Sequence, residues 1–131
     1  MPPGTGDTQL TFSQEIKIDG AIIVSTPQEV ALLDVKRGIK MFDKLGVKIL
    51  GLVDNMSYFI GDDKKKYKIF GEGGVRKTSE EFKKEFLGEI PINSEIGKTS
   101  DNGKPIVEED PNCEISKIYI NFANKIKSTY L

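Results

Sequence analysis

The chain has 131 residues, with 19 basic and 20 acidic side chains and a formal net charge of -1 at pH 7. That is enough for one domain with its own core and not for two, and the charge balance argues against nucleic acid or anionic lipid as main partners. One cysteine and no histidine exclude an internal disulfide, a histidine-based triad and a zinc or iron–sulfur centre built by one chain, and they fit a reducing, cytoplasmic compartment.

In chain order, Met1-Pro2-Pro3-Gly4-Thr5-Gly6-Asp7 reads as a strand-to-helix turn. Its glycines let backbone amides approach a terminal phosphate. The competing reading is an ordinary turn in which Asp7 caps the next helix, expected over residues 8–14. Residues 20–25 are a continuous apolar run between Asp19 and Thr26, the pattern of a central parallel strand covered on both faces. Thr26-Pro27-Gln28-Glu29 then has the composition of a capping box with proline at the first helical position. Val30, Leu32, Leu33, Val35, Ile39, Phe42 and Leu45 continue at helical spacing to a stop at Gly46.

Val47 to Asp54 predicts a second strand, which completes a strand–helix–strand unit. Residues 55–74 are polar, carry Lys64-Lys65-Lys66-Tyr67-Lys68, and predict a long loop or small hairpin. The lysine run reads as a solvated surface, since Asp62 and Asp63 largely balance it. A helix is expected over residues 75–86 and a short strand over 87–91. Residues 93–111 are turn-rich, and Asp110-Pro111 opens a terminal helix with Ile115, Ile118, Tyr119, Phe122 and Ile126 on one face. Glu80-Glu81 and Glu108-Glu109-Asp110 read as surface charge, because adjacent helical residues do not face each other. No apolar run approaches the roughly 20 residues that span a bilayer, so no membrane partner is expected.

In an open parallel sheet, ligands sit beyond the carboxyl ends of the strands. That singles out Ser25-Thr26-Pro27, Asp54-Asn55 and Pro91-Ile92-Asn93. The Asn55 amide offers a donor and an acceptor, which matches an adenine edge, although asparagine is also a common turn residue. No Gly-x-x-x-x-Gly-Lys-Ser/Thr loop occurs in the sequence.

Taken together, Met1 to Asp7, Gly20 to Asp34, Asp54-Asn55-Met56-Ser57-Tyr58, Ile69-Phe70-Gly71, Leu87 to Pro91 and Asp101-x-Gly103-x-Pro105 resemble the carboxyl-terminal half of the Mrp/ApbC family. These are P-loop ATPases related to MinD and ParA that act as iron–sulfur cluster carriers. The resemblance spans essentially the whole chain. It implies an α/β fold, part of a doubly wound, mostly parallel sheet whose amino-terminal strands and P-loop are missing, with residues 1–131 as the carboxyl-terminal part of one ATPase domain. It further implies ATP and Mg²⁺ as ligands of the complete protein, with Gly4, Thr5, Gly6 and Asp7 as switch II near the γ-phosphate. Asn55 is implied as the adenine-reading asparagine, and Pro91 and Ile92 as the loop beside the base. A homodimer and iron–sulfur apoproteins are the implied partners.

The family typically carries Cys-x-x-Cys after Asn-Met-Ser-Tyr-Phe, where two subunits bridge a 4Fe-4S cluster. This sequence has Ile60-Gly61-Asp62-Asp63-Lys64 there, with Cys113 outside the motif as an ordinary semi-buried thiol, which argues against a cluster bridged through this loop. Without the phosphate loop, the Walker B aspartate and the first strands, the chain by itself is expected to bind ATP poorly and not to hydrolyse it. A MinD/ParA-like positioning ATPase and a non-catalytic binding remnant are the alternatives.

Overall fold

A computed structural model describes Thr11 and residues 15–131. Gly4, Thr5, Gly6 and Asp7 lie outside the described residues, as does the expected helix over residues 8–14 apart from Thr11. In chain order the elements are β1 (Ala21–Ser25), α1 (Glu29–Leu45), β2 (Ile49–Asn55), β3 (Phe59–Ile60), β4 (Lys66–Tyr67), α2 (Gly74–Glu81), β5 (Phe86–Ile90), α3 (Ser94–Asp101), α4 (Ile106–Glu109) and α5 (Glu114–Tyr130).

β1 pairs in parallel with β2, and β2 in parallel with β5, which gives a three-stranded sheet in the order β1-β2-β5. The segment expected to be a long loop or hairpin is a hairpin, with β3 and β4 antiparallel.

Successive residues of a strand face opposite sides of a sheet, and β2 uses this to build two cores. Leu52 joins Val35, Ile39 and Phe42 of α1 and Val75 of α2 on one side. Val53 joins Leu87 and Ile90 on the other, where Ile118, Phe122 and Ile126 of α5 pack. Helices therefore cover both faces, as in a doubly wound sheet. Complete burial of a side chain such as Leu52 contributes about 1.5–3 kcal/mol. Gly88 permits the close approach of α5, because a Cβ there would lie 2.7 Å from the Phe122 ring and its φ is +146°.

α1 ends as its sequence predicts. Gly46 takes φ 72°, its N–H reaches the Asp43 carbonyl, and the Val47 N–H reaches that of Phe42, a Schellman closure. Its start differs from the expected capping box. Gln28 occupies the N-cap with no side-chain cap bond, and the Thr26 hydroxyl donates instead to Gln28 Oε1 at 3.1 Å. The hydroxyl thus lies two residues before the N-cap, too early to reach the orphan amides.

Three further boundaries move. The helix expected over 75–86 ends at Glu81, because Lys83 turns left-handed at φ 56° and the chain enters β5 at Phe86. Phe82 and Phe86 pack on the same core, so a spacing that suggested one helical face comes from a helix end and a strand. The turn-rich stretch contains α3 and α4, with the Asn93 side chain accepting from the Glu95 N–H at α3's start. α5 begins after Cys113 rather than at Asp110-Pro111, and the thiol is its cap, accepting from the Ser116 N–H at 3.4 Å.

Among the described residues β1 pairs with β2 alone. The expected central strand covered on both faces is thus an edge strand among the described residues: its Ala21 and Ile23 pack toward α1, while Ile22 and Val24 stay 44% and 58% exposed, with no described element over them.

Candidate functional site

At the carboxyl end of the sheet, Ser25, Asp54 and Glu89 stand side by side, since Ser25 pairs with Asp54 and Asp54 with Glu89. One step further, Asn55 pairs with Ile90, which precedes Pro91 and Ile92. The chain then turns at Met56, left-handed at φ 55°, and the Met56 N–H donates to Asn55 Oδ1 at 3.0 Å. The Ser57 N–H donates to the Ile90 carbonyl at 3.0 Å and the Ile92 N–H to the Tyr58 carbonyl at 2.7 Å. These two bonds carry the β2–β5 pairing into the loops that follow Asn55 and Ile90.

Pro91 and Ile92 also wall a cavity of about 710 Å³, with Tyr58, Ile106, Cys113 and Ile118 among its other walls and Glu109 and Asp110 at its polar side. Asn55 is not one of its walls. An apolar floor with a few polar groups suits a flat ring with a polar edge.

Asp54 is only 1% exposed. Ser57 Oγ donates to its Oδ2 at 3.3 Å, and Oδ1 has no hydrogen-bond partner among the described residues. Burial pushes its pKa up to about 6, opposed by the Ser57 hydrogen bond, raised further by Glu89 and lowered by Lys68. Lys68 lies 3.5 Å from Glu72 and 3.8 Å from Glu89. Tyr58 is also raised, by burial first and Glu89 second.

The hairpin holds Ile60 to Lys64, where the resemblance implies a Cys-x-x-Cys. Its turn is held by the Lys64 N–H to the Gly61 carbonyl and by Asp63, which accepts from the Lys65 N–H and the Tyr67 hydroxyl. Lys66 sits over the Tyr58 ring, so the lysine run is partly engaged with its own hairpin. Among the described residues no group of three or more His, Cys, Asp or Glu side chains is placed to hold a metal ion. No described helix is long and apolar enough to cross a membrane.

Sequence reasoning named Asp54 with Asn55 at the end of the strand but gave a role to Asn55 alone, and did not foresee that Asp54 is buried. The signal was present in the alternation, because Asp54 lies two residues after core-facing Leu52 and so falls on the same buried face.

The family described as ParA, NUBPL iron-transfer P-loop NTPase, matches residues 1–127. The chain belongs to that family. An iron-sulfur cluster carrier protein of Aquifex aeolicus is 44% identical over 124 residues, covering 94% of this chain and 34% of the relative. The mouse iron-sulfur cluster transfer protein NUBPL is 46% identical over 127 residues, covering 96% of this chain and 40% of the relative. The chain thus spans about a third to two fifths of these relatives. Among solved structures, a nucleotide-binding protein from Archaeoglobus fulgidus in complex with ADP superposes with a TM-score of 0.72 at 40% identity, covering 87% of this chain and 46% of that one. The Aquifex aeolicus cell-division protein MinD superposes at 0.68 with 21% identity, covering 95% of this chain and 49% of its own, a likeness of fold alone. The doubly wound α/β fold is that of these P-loop NTPases.

Proposed function

We propose that this chain supplies the base-binding side of an ATP-dependent iron–sulfur cluster carrier or assembly factor. The observation that carries the reading is the family membership, whose curated relatives are named as iron–sulfur carriers and transfer proteins. The edge geometry supports a nucleotide role. Asn55 pairs with Ile90, the residue before Pro91 and Ile92, at the carboxyl ends of parallel strands, where such sheets bind nucleotides. In the complete protein Gly4, Thr5, Gly6 and Asp7 are the proposed switch II residues for the γ-phosphate and its Mg²⁺, and the protein works as a homodimer that delivers clusters to apoproteins.

A cluster bridged through the hairpin loop is not expected here, because this chain offers only Cys113 and its thiol caps α5. Reconstitution of the full-length protein with iron and sulfide, beside an ATPase assay, tests the reading. ATP turnover with no cluster absorption supports a family variant that keeps nucleotide chemistry without the loop ligands. Stable cluster absorption that survives Cys113→Ser overturns the idea that ligands are lacking, and absence of ATP binding overturns the nucleotide assignment.

The positioning-ATPase reading asks α5 to bind membrane or DNA. Its apolar face is already used against the sheet by Ile118, Phe122 and Ile126, and Lys125 donates to the Leu87 carbonyl at 2.8 Å. Both arrangements favour the carrier reading.

A further inference from the structure

Among the described residues Asp54 is the one charged side chain that is buried. It stands immediately before the residue assigned to the base. Its Oδ2 accepts from Ser57, itself 2% exposed, and Ser57 also donates its backbone N–H to Ile90. Both polar hydrogens of Ser57 are therefore committed, one to the end of β2 and one to the end of β5. Between Asp54 and Ser57 the chain turns left-handed at Met56, a conformation that a methionine keeps only where its surroundings over-determine it. The N–H of that strained residue is the group that holds Asn55 Oδ1.

We infer that Asp54 is the positioning residue for Asn55: by gripping the Ser57 hydroxyl, its ionised carboxylate fixes the Met56 turn that orients the asparagine amide, and so couples base binding to proton concentration. The inference rests on reading Asn55 as the base contact. A hydroxyl donates more strongly to a charged carboxylate than to a neutral acid, so protonation of Asp54 loosens Ser57 and with it the turn. The charged groups that bear on Asp54 are Glu89 of β5 and Lys68 after β4, the latter shared with Glu72. Ser25 of β1 lies alongside in register but donates its hydroxyl to the Thr26 carbonyl.

The test is an NMR pH titration of the 131-residue chain from about pH 4.5 to about pH 8. The Met56 and Ser57 backbone amides and the Asn55 side-chain amide should move together, with one midpoint near 6. Asp54→Asn should hold them at their low-pH positions throughout. Ser57→Ala and Lys68→Met should raise the midpoint, and Glu89→Gln should lower it. An Asn55 amide that ignores this midpoint, or that Asp54→Asn leaves at its high-pH position, overturns the inference. The wild-type and Glu89→Gln titrations decide the matter even if Asp54→Asn fails to fold.

ADP added to the full-length protein should bind at least about fivefold more tightly above the midpoint than below it. Equal binding on both sides, with Asn55 contacted at each, overturns the coupling. ADP that never shifts the Asn55 amide, while that amide still follows Asp54, overturns the base-contact reading and leaves the positioning role standing.

Discussion

Ile92 donates its backbone N–H to the carbonyl of Tyr58 at 2.7 Å, and so fastens the loop after β2 to the loop after β5 beyond the last paired residues, Asn55 and Ile90. The base side of the proposed site is therefore a continuation of the sheet. Its shape depends on main-chain donors as much as on side chains.

Ile92→Pro removes that donor and leaves the Tyr58 carbonyl unpaired. Loss of one such bond is expected to destabilise the fold by about 1 kcal/mol, while ADP affinity in the full-length protein falls about tenfold, equivalent to about 1.4 kcal/mol. Paired urea unfolding and ADP titration measure both. An unchanged affinity would remove this loop from the site.

Asp54 gives the stability a defined pH dependence. Its folded-state pKa is raised to about 6 from 3.8, so between those values the folded chain holds a proton that the unfolded chain has released. Stability contributed by this group is full below about 3.8, declines as pH rises, and levels off above about 6. The whole change is about 3 kcal/mol. Urea midpoints for wild type and Asp54→Asn should converge on the acid side and separate across this window, and parallel curves would refute the assignment.

Gly88→Ala combines a crowded Cβ, 2.7 Å from Phe122, with a backbone φ of +146°. The expected loss is about 2–3 kcal/mol, from overpacking and backbone strain together. It should appear as a lower urea midpoint with an unchanged m-value. Gly88→Ala paired with Phe122→Leu should recover part of the loss if the ring contact contributes.

At the start of α1, Thr26→Ala is expected to change stability by less than about 0.5 kcal/mol, because the hydroxyl bonds an exposed side chain rather than a helix amide. Gln28→Asp, which puts a short acceptor at the N-cap itself, should add about 0.5–1 kcal/mol. Thermal melts of the two variants distinguish this arrangement from a capping box, which predicts a loss of about 1 kcal/mol for Thr26→Ala and little gain for Gln28→Asp.

The apolar run at residues 20–25 and the periodic one ending at Gly46 were legible because each is repetitive and closed by a residue with a narrow conformational role. Terminal boundaries were harder. Phe82 and Phe86 share a core from two different elements, a coincidence that spacing alone does not separate. α3 is built from Ser94, Gly97, Thr99 and Ser100 among others, weak helix formers, and it is helped by the Asn93 cap and by the Thr99 hydroxyl, which donates to the Glu95 carbonyl. Of the site, Asn55, Pro91 and Ile92 could be named from their places after strands. That Asn55 lies outside the cavity walled by Pro91 and Ile92 depends on the left-handed turn at Met56, and methionine announces no such turn.

The bare strip on β1 governs how the chain behaves in a crowded solution. Ile22 and Val24 are exposed on a strand that has a single described neighbour, so side chains and backbone together form a template on which another strand can nucleate. Self-association should accordingly start at this strand and accelerate with protein concentration. Val24→Lys, which leaves the core-facing Ala21 and Ile23 alone, is the gatekeeper substitution that should slow it.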